Sequence, residues 1–459
     1  MNSIIVLAAS GILSMFVGVF QLKKLSLPLM ILACAAALSL ILFNMPGDYS
    51  AYMNNMLVFD KFSISFSAVM ISLTMLVFVV CRYYYRKYIE HLSDIYALFL
   101  FSLVGGILLV SFQNLVMLFL GIEILSIPLY ILASSNRRNL MSNEAGLKYY
   151  LLGSFASCFL LLGITFIYGT TQSFDMDVIG VFVSGNANNL PGLFIIGCVL
   201  LIGAFIFKIS AVPFHFWAPD VYHGSPTVIT AFMATVVKTA AFGGFIRFIS
   251  HTILLQTDIW QHAVAIIAAL TMIVGNVLAL YQTNLKRLLG YSGIANAGYV
   301  LIAVATLKED SYSYVLYYMA GYSVATIIAF AIYSVIKEQT TIDSIDGLKG
   351  LFTNNRLITS TLAIAMLSLA GIPPLAGFVG KYAVFSNAVK EGNIWLVIIA
   401  VLTSLAGVFY YLRVMVNTLQ SGSQVEKIVI SANYRLLLLF GIFLLLLLGV
   451  LPQLFFDLV

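Results

Sequence analysis

The chain has 459 residues, 61% of them hydrophobic and 9% charged, with a mean hydropathy of +1.03 and a formal net charge of +5. This composition excludes a soluble globular fold and describes an all-α polytopic membrane protein, whose basic residues report topology rather than a nucleic-acid face. The four cysteines, Cys34, Cys81, Cys158 and Cys198, stand alone in apolar runs, and no CxxC, Cys/His cluster or glycine-rich phosphate loop occurs, so no metal, Fe–S cluster, disulfide or nucleotide is expected in this chain.

About fourteen segments are apolar over the roughly 20 residues needed to cross a bilayer. In chain order they lie near 3–20, 26–43, 63–81, 95–110, 114–133, 145–169, 192–211, 226–249, 260–281, 288–306, 313–336, 357–388, 393–416 and 433–452. The first has no basic stretch before it and is expected to be an uncleaved first helix rather than a signal peptide. The segment 192–211 ends in Ala211-Val212-Pro213 and is predicted to continue as a second half-helix. The segment 357–388 contains Gly371-Ile372-Pro373-Pro374 and is predicted to be a broken helix.

A faint internal echo links the two halves. Tyr149-Tyr150-Leu151-Leu152-Gly153 recurs as Tyr317-Tyr318-Met319-Ala320-Gly321, and Ala211-Val212-Pro213 as Gly371-Ile372-Pro373. The pattern predicts two inverted five-helix repeats, each with one broken helix, as in transporters that bind at the bilayer midplane. The expected parts are three N-terminal helices (1–90), a first repeat (91–250), a second repeat (251–417) and a C-terminal helix (418–459). Loops after odd-numbered segments carry 15 Lys and Arg: Lys23, Lys24, Arg82, Arg86, Lys87, Arg137, Arg138, Lys286, Arg287, Lys337, Lys349, Arg356, Arg413, Lys427 and Arg435. Loops after even-numbered segments carry 4: Lys61, Arg247, Lys308 and Lys390. The bias predicts cytoplasmic odd loops and both termini outside.

Nineteen of the 23 basic residues fall in polar gaps; the others are Lys148, Lys208, Lys238 and Lys381. Lys208, Lys238, Lys381 and one acid, Glu123, sit inside apolar runs. A charge at bilayer depth costs on the order of 3 kcal/mol or more and marks a function by default. Glu123 lies in Gly121-Ile122-Glu123-Ile124-Leu125, where a purely structural acid would need a hydroxyl partner. Lys208 precedes the break at Pro213, Lys238 is mid-segment, and Lys381 follows Pro373-Pro374. Lysine suits a mobile proton because burial lowers its pKa, whereas arginine stays charged; the bland alternative is snorkelling to an interface. Glu144 and Lys148 are four apart and read equally as a functional pair or an ordinary helix-surface pair. His215 and His223 flank the loop before Gly224, and their titration range suits proton uptake as well as a simple hydrogen-bonded loop role.

At these residues the chain resembles the antiporter-like membrane subunits of respiratory complex I. The resemblance is carried by Gly121-Ile122-Glu123-Ile124-Leu125-Ser126-Ile127-Pro128, by Glu144-Ala145-Gly146-Leu147-Lys148-Tyr149-Tyr150, and by Gln282-Thr283-Asn284-Leu285-Lys286-Arg287. Most specific is the run from Phe207-Lys208 through Pro213-Phe214-His215-Phe216-Trp217-Ala218-Pro219-Asp220-Val221-Tyr222-His223-Gly224-Ser225-Pro226. One departure is Gly290-Tyr291-Ser292-Gly293, where the family often has Ala-Tyr-Ser-Ser. The resemblance implies an ion pair between Glu123 and Lys208 in a first half-channel, Lys238 as central relay and Lys381 as the group exchanging protons with the outer side. It lifts Glu144 as a recurring acid. It also implies a proton-translocating subunit without redox chemistry of its own, and no cofactor in this chain. The flavin, Fe–S chain and quinone would then belong to partner subunits, among them another antiporter-like subunit and small membrane subunits, in a bacterial inner membrane. The alternatives are a subunit of a multisubunit cation/proton antiporter and a purely structural membrane subunit, against which the buried charges argue.

Overall fold

The structure, a computed structural model, describes residues 1–22, 25–43, 50–86, 92–186, 189–252, 258–307, 311–340, 342–420 and 425–457. Lys23, Lys24, Lys87 and Lys308, counted above for orientation, lie outside the described residues.

The described residues form helices α1 (Asn2–Val19), α2 (Ser26–Phe43), α3 (Lys61–Tyr84), α4 (Leu92–Ser111), α5 (Leu115–Ala133), α6 (Leu140–Thr171), α7 (Met176–Gly185), α8 (Gly192–Ile209), α9 (Trp217–Gly224) and α10 (Thr227–Phe232). A π-helical turn, Met233–Val237, leads into α11 (Lys238–Thr252). There follow α12 (Asp258–Leu280), α13 (Leu285–Ala305), α14 (Tyr312–Thr340), α15 (Leu351–Asn354), α16 (Arg356–Ala370), α17 (Ala376–Lys390), α18 (Ile394–Leu419), α19 (Ala432–Val450) and α20 (Gln453–Phe456). A small antiparallel hairpin, β1 (Ser50–Tyr52) and β2 (Leu57–Phe59), precedes α3.

Thirteen helices are long and apolar enough to cross a membrane, counting Thr227–Thr252 as one. They correspond to all the predicted segments but one. The exception is 357–388, which is two 15-residue helices, α16 and α17. Both expected breaks are present. α8 stops where Ser210 adopts a left-handed conformation (φ 62°), and α9 begins seven residues later at Trp217. α16 stops at Gly371 (φ 85°) ahead of Pro373-Pro374. Proline lacks the N–H that would continue the ladder, and a left-handed residue turns the chain out of the helix.

The chain divides into two compact units. The first comprises Met1–Met75, Tyr88–Trp217 and Val236–Ala263; the second comprises Leu76–Lys87, Ala218–Thr235 and Val264–Val459. In the first unit α4 packs on α5 and α1, and α6 on α8. Ser102 donates to the Leu125 carbonyl at 2.7 Å, and the two backbones meet at Gly105, where a Cβ would fall 2.1 Å from the Leu125 nitrogen. α5, which carries Glu123, is thus seated directly against α4. In the second unit α14 is the central element: the share of it that would cross the membrane is wholly buried, against α13, α16, α17 and α19.

Arg247 corrects the reading of it as a loop charge. It belongs to α11 and is 4% exposed. Its guanidinium donates to the Phe112 carbonyl (2.6 Å) and to Asp60 (3.0 Å). The β-hairpin and the α4–α5 junction cover this helix end, and a planar fork of five donors meets several acceptors there at once.

Candidate proton-transfer site

Lys208 and Lys381 lie beside the two helix breaks, where backbone carbonyls lose their intrahelical partners, and Lys238 follows a π turn within a continuous helix. Lys208 is in the last turn of α8 and 4% exposed. Its Nζ donates to Ser126 Oγ at 2.7 Å, and it lies 5.8 Å from the centre of the Tyr130 ring. The freed Phe207 carbonyl accepts from Trp217 Nε1 at 3.0 Å, and Trp217 stacks on Tyr149. The ring of Trp217 therefore closes the break beside Lys208.

Glu123 is one helical turn from Ser126 on α5. It is half-buried rather than buried, and it accepts a hydrogen bond from Ser157 Oγ of α6. The pairing expected between Glu123 and Lys208 takes an indirect form. Each charge holds a serine, Ser157 for the acid and Ser126 for the amine. Serine hydroxyls in apolar segments carry no pattern that a sequence reading could have isolated.

Lys238 is 2% exposed and is the first residue of α11, directly after the π turn. A π turn holds one residue more than an α turn and recurs at functional sites. Ala240, two residues on, faces Gly106 of α4.

Lys381, in the second turn of α17, is 8% exposed. It reaches back to the end of α16, donating to the carbonyls of Leu369 (3.1 Å) and Ala370 (2.9 Å) with the Tyr299 ring 5.1 Å away. A cation at a helix C-terminus complements the negative end of its dipole. Gly371 is obligatory here: its φ is left-handed, and a Cβ would lie 2.9 Å from Lys381 Cδ. A small cavity beside the amine is lined by Asn296, Tyr318, Tyr322 and Ser368. Tyr318 donates to Asn296 Oδ1 (2.8 Å), and Asn296 donates to the Tyr411 hydroxyl (3.2 Å). Asn276 similarly joins Tyr299 and Tyr410, each at 3.1 Å.

The other candidates separate. Glu144 and Lys148 form a 2.8 Å pair with side chains 62% and 41% exposed, the geometry of an ordinary i,i+4 contact worth about 0.3–0.5 kcal/mol. His215 lies in the first break, 4% exposed, with no hydrogen-bond partner at Nδ1. His223, at the end of α9, is half-buried.

Sequence reasoning missed Lys286. It is 3% exposed and donates to the carbonyls of His223 (3.2 Å) and Ser225, so it caps the junction of α9 and α10. Its neighbour Arg287, a third exposed, pairs with Asp220 at 3.3 Å. Lys-Arg reads as a loop pair. The available signal was Asn284, whose side chain caps α13 and so places Lys286 inside its first turn.

Residues 112–407 match the family described as "NADH:quinone oxidoreductase/Mrp antiporter, TM". The chain belongs to this antiporter-like membrane family. A relative from Cytophaga hutchinsonii, NADH-quinone oxidoreductase subunit N, is 42% identical over 431 residues, covering 93% of this chain and 92% of its own. Among solved structures, a chain of respiratory complex I from Thermus thermophilus superposes with a TM-score of 0.81 at 30% identity, covering 99% of this chain and 98% of that one. A chain of the Mrp complex from Dietzia sp. superposes with a TM-score of 0.85 at 18% identity, over 99% of this chain and 95% of that one; this likeness is one of fold.

Proposed function

We propose that this chain is the subunit N type of antiporter-like subunit in the membrane arm of respiratory complex I, and that it moves protons through Glu123, Lys208, Lys238 and Lys381 while quinone is reduced elsewhere in the complex. The observation that carries this reading is the set of three lysines, 4%, 2% and 8% exposed, in apolar helices: Lys208 and Lys381 beside the two helix breaks, and Lys238 directly after the π turn. An ammonium so placed loses solvation and becomes able to release its proton. Glu123 with Ser157, and Ser126 with Lys208, make the first relay. Lys238 is the central station. Lys381 exchanges protons with the outer side, and the hydroxyls of Tyr318, Tyr322 and Ser368 hold bridging water beside it. Glu144 and His215 are secondary members. The alternative, a stand-alone cation/proton antiporter subunit, shares the fold, but the 42% identity to a subunit N against 18% to the Mrp chain favours complex I.

The two broken helices support an inverted five-helix repeat, and the loop charges support cytoplasmic odd loops with both termini outside, in a bacterial inner membrane. Cysteine labelling at Arg137 and at Asp175 is expected to report opposite sides; same-side labelling would remove the topology and the repeat together.

The reading also places flavin, Fe–S chain and quinone on partner subunits, among them a second antiporter-like subunit and small membrane subunits. Glu123 supports a lateral partner, since a half-buried carboxylate is costly against lipid. Moving one charge against 100 mV takes about 2.3 kcal/mol, and this energy must come from those partners. Purified alone into liposomes, the chain is expected to give no acidification on addition of NADH and quinone, whereas the complex containing it does. Redox-driven acidification by the isolated chain would refute the assignment.

A further inference from the structure

The last long helix, α19, ends against the break that precedes Lys381. Gly449, in its final turn, touches that break backbone to backbone. A Cβ there would lie 2.0 Å from the Pro374 carbonyl oxygen, 2.7 Å from the Leu375 carbonyl carbon and 2.8 Å from Leu375 Cα. These are main-chain atoms, so no side-chain rotation relieves the overlap; the turn or the helix must move.

The other side of the same turn is the Lys381 site. The carbonyls of Leu369 and Ala370 that receive the ammonium immediately precede Gly371, and Gly371 itself lies against the lysine stem. The segment 371–375 is therefore held between α19 and Lys381. α19 is in turn fixed to α14 near both ends. Tyr434 donates to the Ala331 carbonyl at 2.7 Å, and Tyr317 donates to the Leu448 carbonyl, next to Gly449. The Tyr317 ring stacks on Phe456 just beyond α19, with centroids 5.0 Å apart. The following residue on α14, Tyr318, packs on Gly380, beside Lys381.

We propose that Gly449 is a positioning residue for proton transfer at Lys381: the end of α19 sets the turn 371–375, and the turn aims the Leu369 and Ala370 carbonyls at the amine. This rests on the reading of Lys381 as a proton station. Hydrogen bonds of 2.9 and 3.1 Å weaken steeply when stretched or bent. A shift of a few tenths of an ångström in the turn thus changes how firmly the amine holds its proton. Gly441, two turns earlier on α19, is a built-in control, because a Cβ there meets only the Ile328 side chain, which can yield.

The test uses the intact complex in membrane vesicles, with assembly on native gels, NADH-driven proton pumping and its pH profile measured for Gly449→Ala, Gly449→Val and Gly441→Ala, each alone and combined with Lys381→Ala. Gly449→Val is expected to lower pumping between about tenfold and a hundredfold, as small misplacements at a reacting group do, and to displace the pH profile. Gly449→Ala should fall between it and the parent, and Gly441→Ala should match the parent. On the Lys381→Ala background Gly449→Val should add nothing, because contacting sites that act as one unit are non-additive. Should Gly449→Val fail to assemble, the same comparison is made with Gly449→Ala. The inference is overturned by an unchanged pH profile in the Gly449 variants, by an equal loss in Gly441→Ala, or by full additivity with Lys381→Ala. Full pumping by Lys381→Ala alone would instead overturn the reading of Lys381 itself.

Discussion

Replacing Lys238 by arginine is expected to leave the complex assembled and to stop its proton pumping. The site is 2% exposed and begins α11 directly after the π turn. Arginine keeps the positive charge, so a role limited to electrostatics would survive the change. Arginine does not release a proton at any accessible pH. Proton transfer by a positioned group contributes about 10²–10⁴-fold to a rate, so the loss should be at least a hundredfold if Lys238 must cycle between charged and neutral forms. Pumping and assembly are to be measured on the same vesicles, with Lys238→Met alongside. Full pumping by the arginine enzyme would show that deprotonation of this residue is not part of the mechanism.

The second large effect is expected at Lys208. Its ammonium is held by Ser126 and lies near the Tyr130 ring, and the residue is buried. Losing a hydrogen bond to a charged group costs about 1.5–3 kcal/mol. Methionine approximates the volume and removes the desolvation penalty of the charge, which offsets that loss. Lys208→Met should therefore assemble normally while pumping falls by an order of magnitude or more, in line with the share of a rate owed to one proton-transfer group. Glu123→Gln, which keeps a hydrogen-bond acceptor for Ser157 but no titratable group, should behave alike. Normal pumping by both variants would remove the first relay from the path. Stability loss without a specific pumping defect would assign them a structural role instead.

The hydrogen bonds of Ser126 to Lys208 and of Ser157 to Glu123 were invisible in the linear pattern for a physical reason. Serine in a membrane helix usually satisfies itself on the carbonyl one turn back, as Ser126 also does with Ile122. Only the packing of α5 against its neighbours brings these hydroxyls to Lys208 and Glu123. The Tyr318–Asn296–Tyr411 and Tyr299–Asn276–Tyr410 groups are of the same kind. Each residue sits in an apolar run, and a partner over a hundred positions away completes both networks.

What the sequence determined by itself was whatever depends on local energetics. The spans follow from uninterrupted apolar length. The two breaks follow from Pro213 and from Gly371 with Pro373-Pro374, since a missing N–H acts wherever the chain goes. Lys208, Lys238 and Lys381 stood out because a charge among apolar neighbours is costly in any fold of a membrane chain. Tertiary structure alone decided the burial of charges at helix ends. Arg247 and Lys286 read as loop residues, yet both are almost fully covered, because the β-hairpin and the α4–α5 junction lie over one and the α9–α10 junction over the other. It also decided that Glu123 is half-buried and reaches Ser157, and that the end of α19 rests on the turn before Lys381. Burial at a helix end and the approach of two backbones depend on what packs there from distant parts of the chain, and no window of sequence contains both partners.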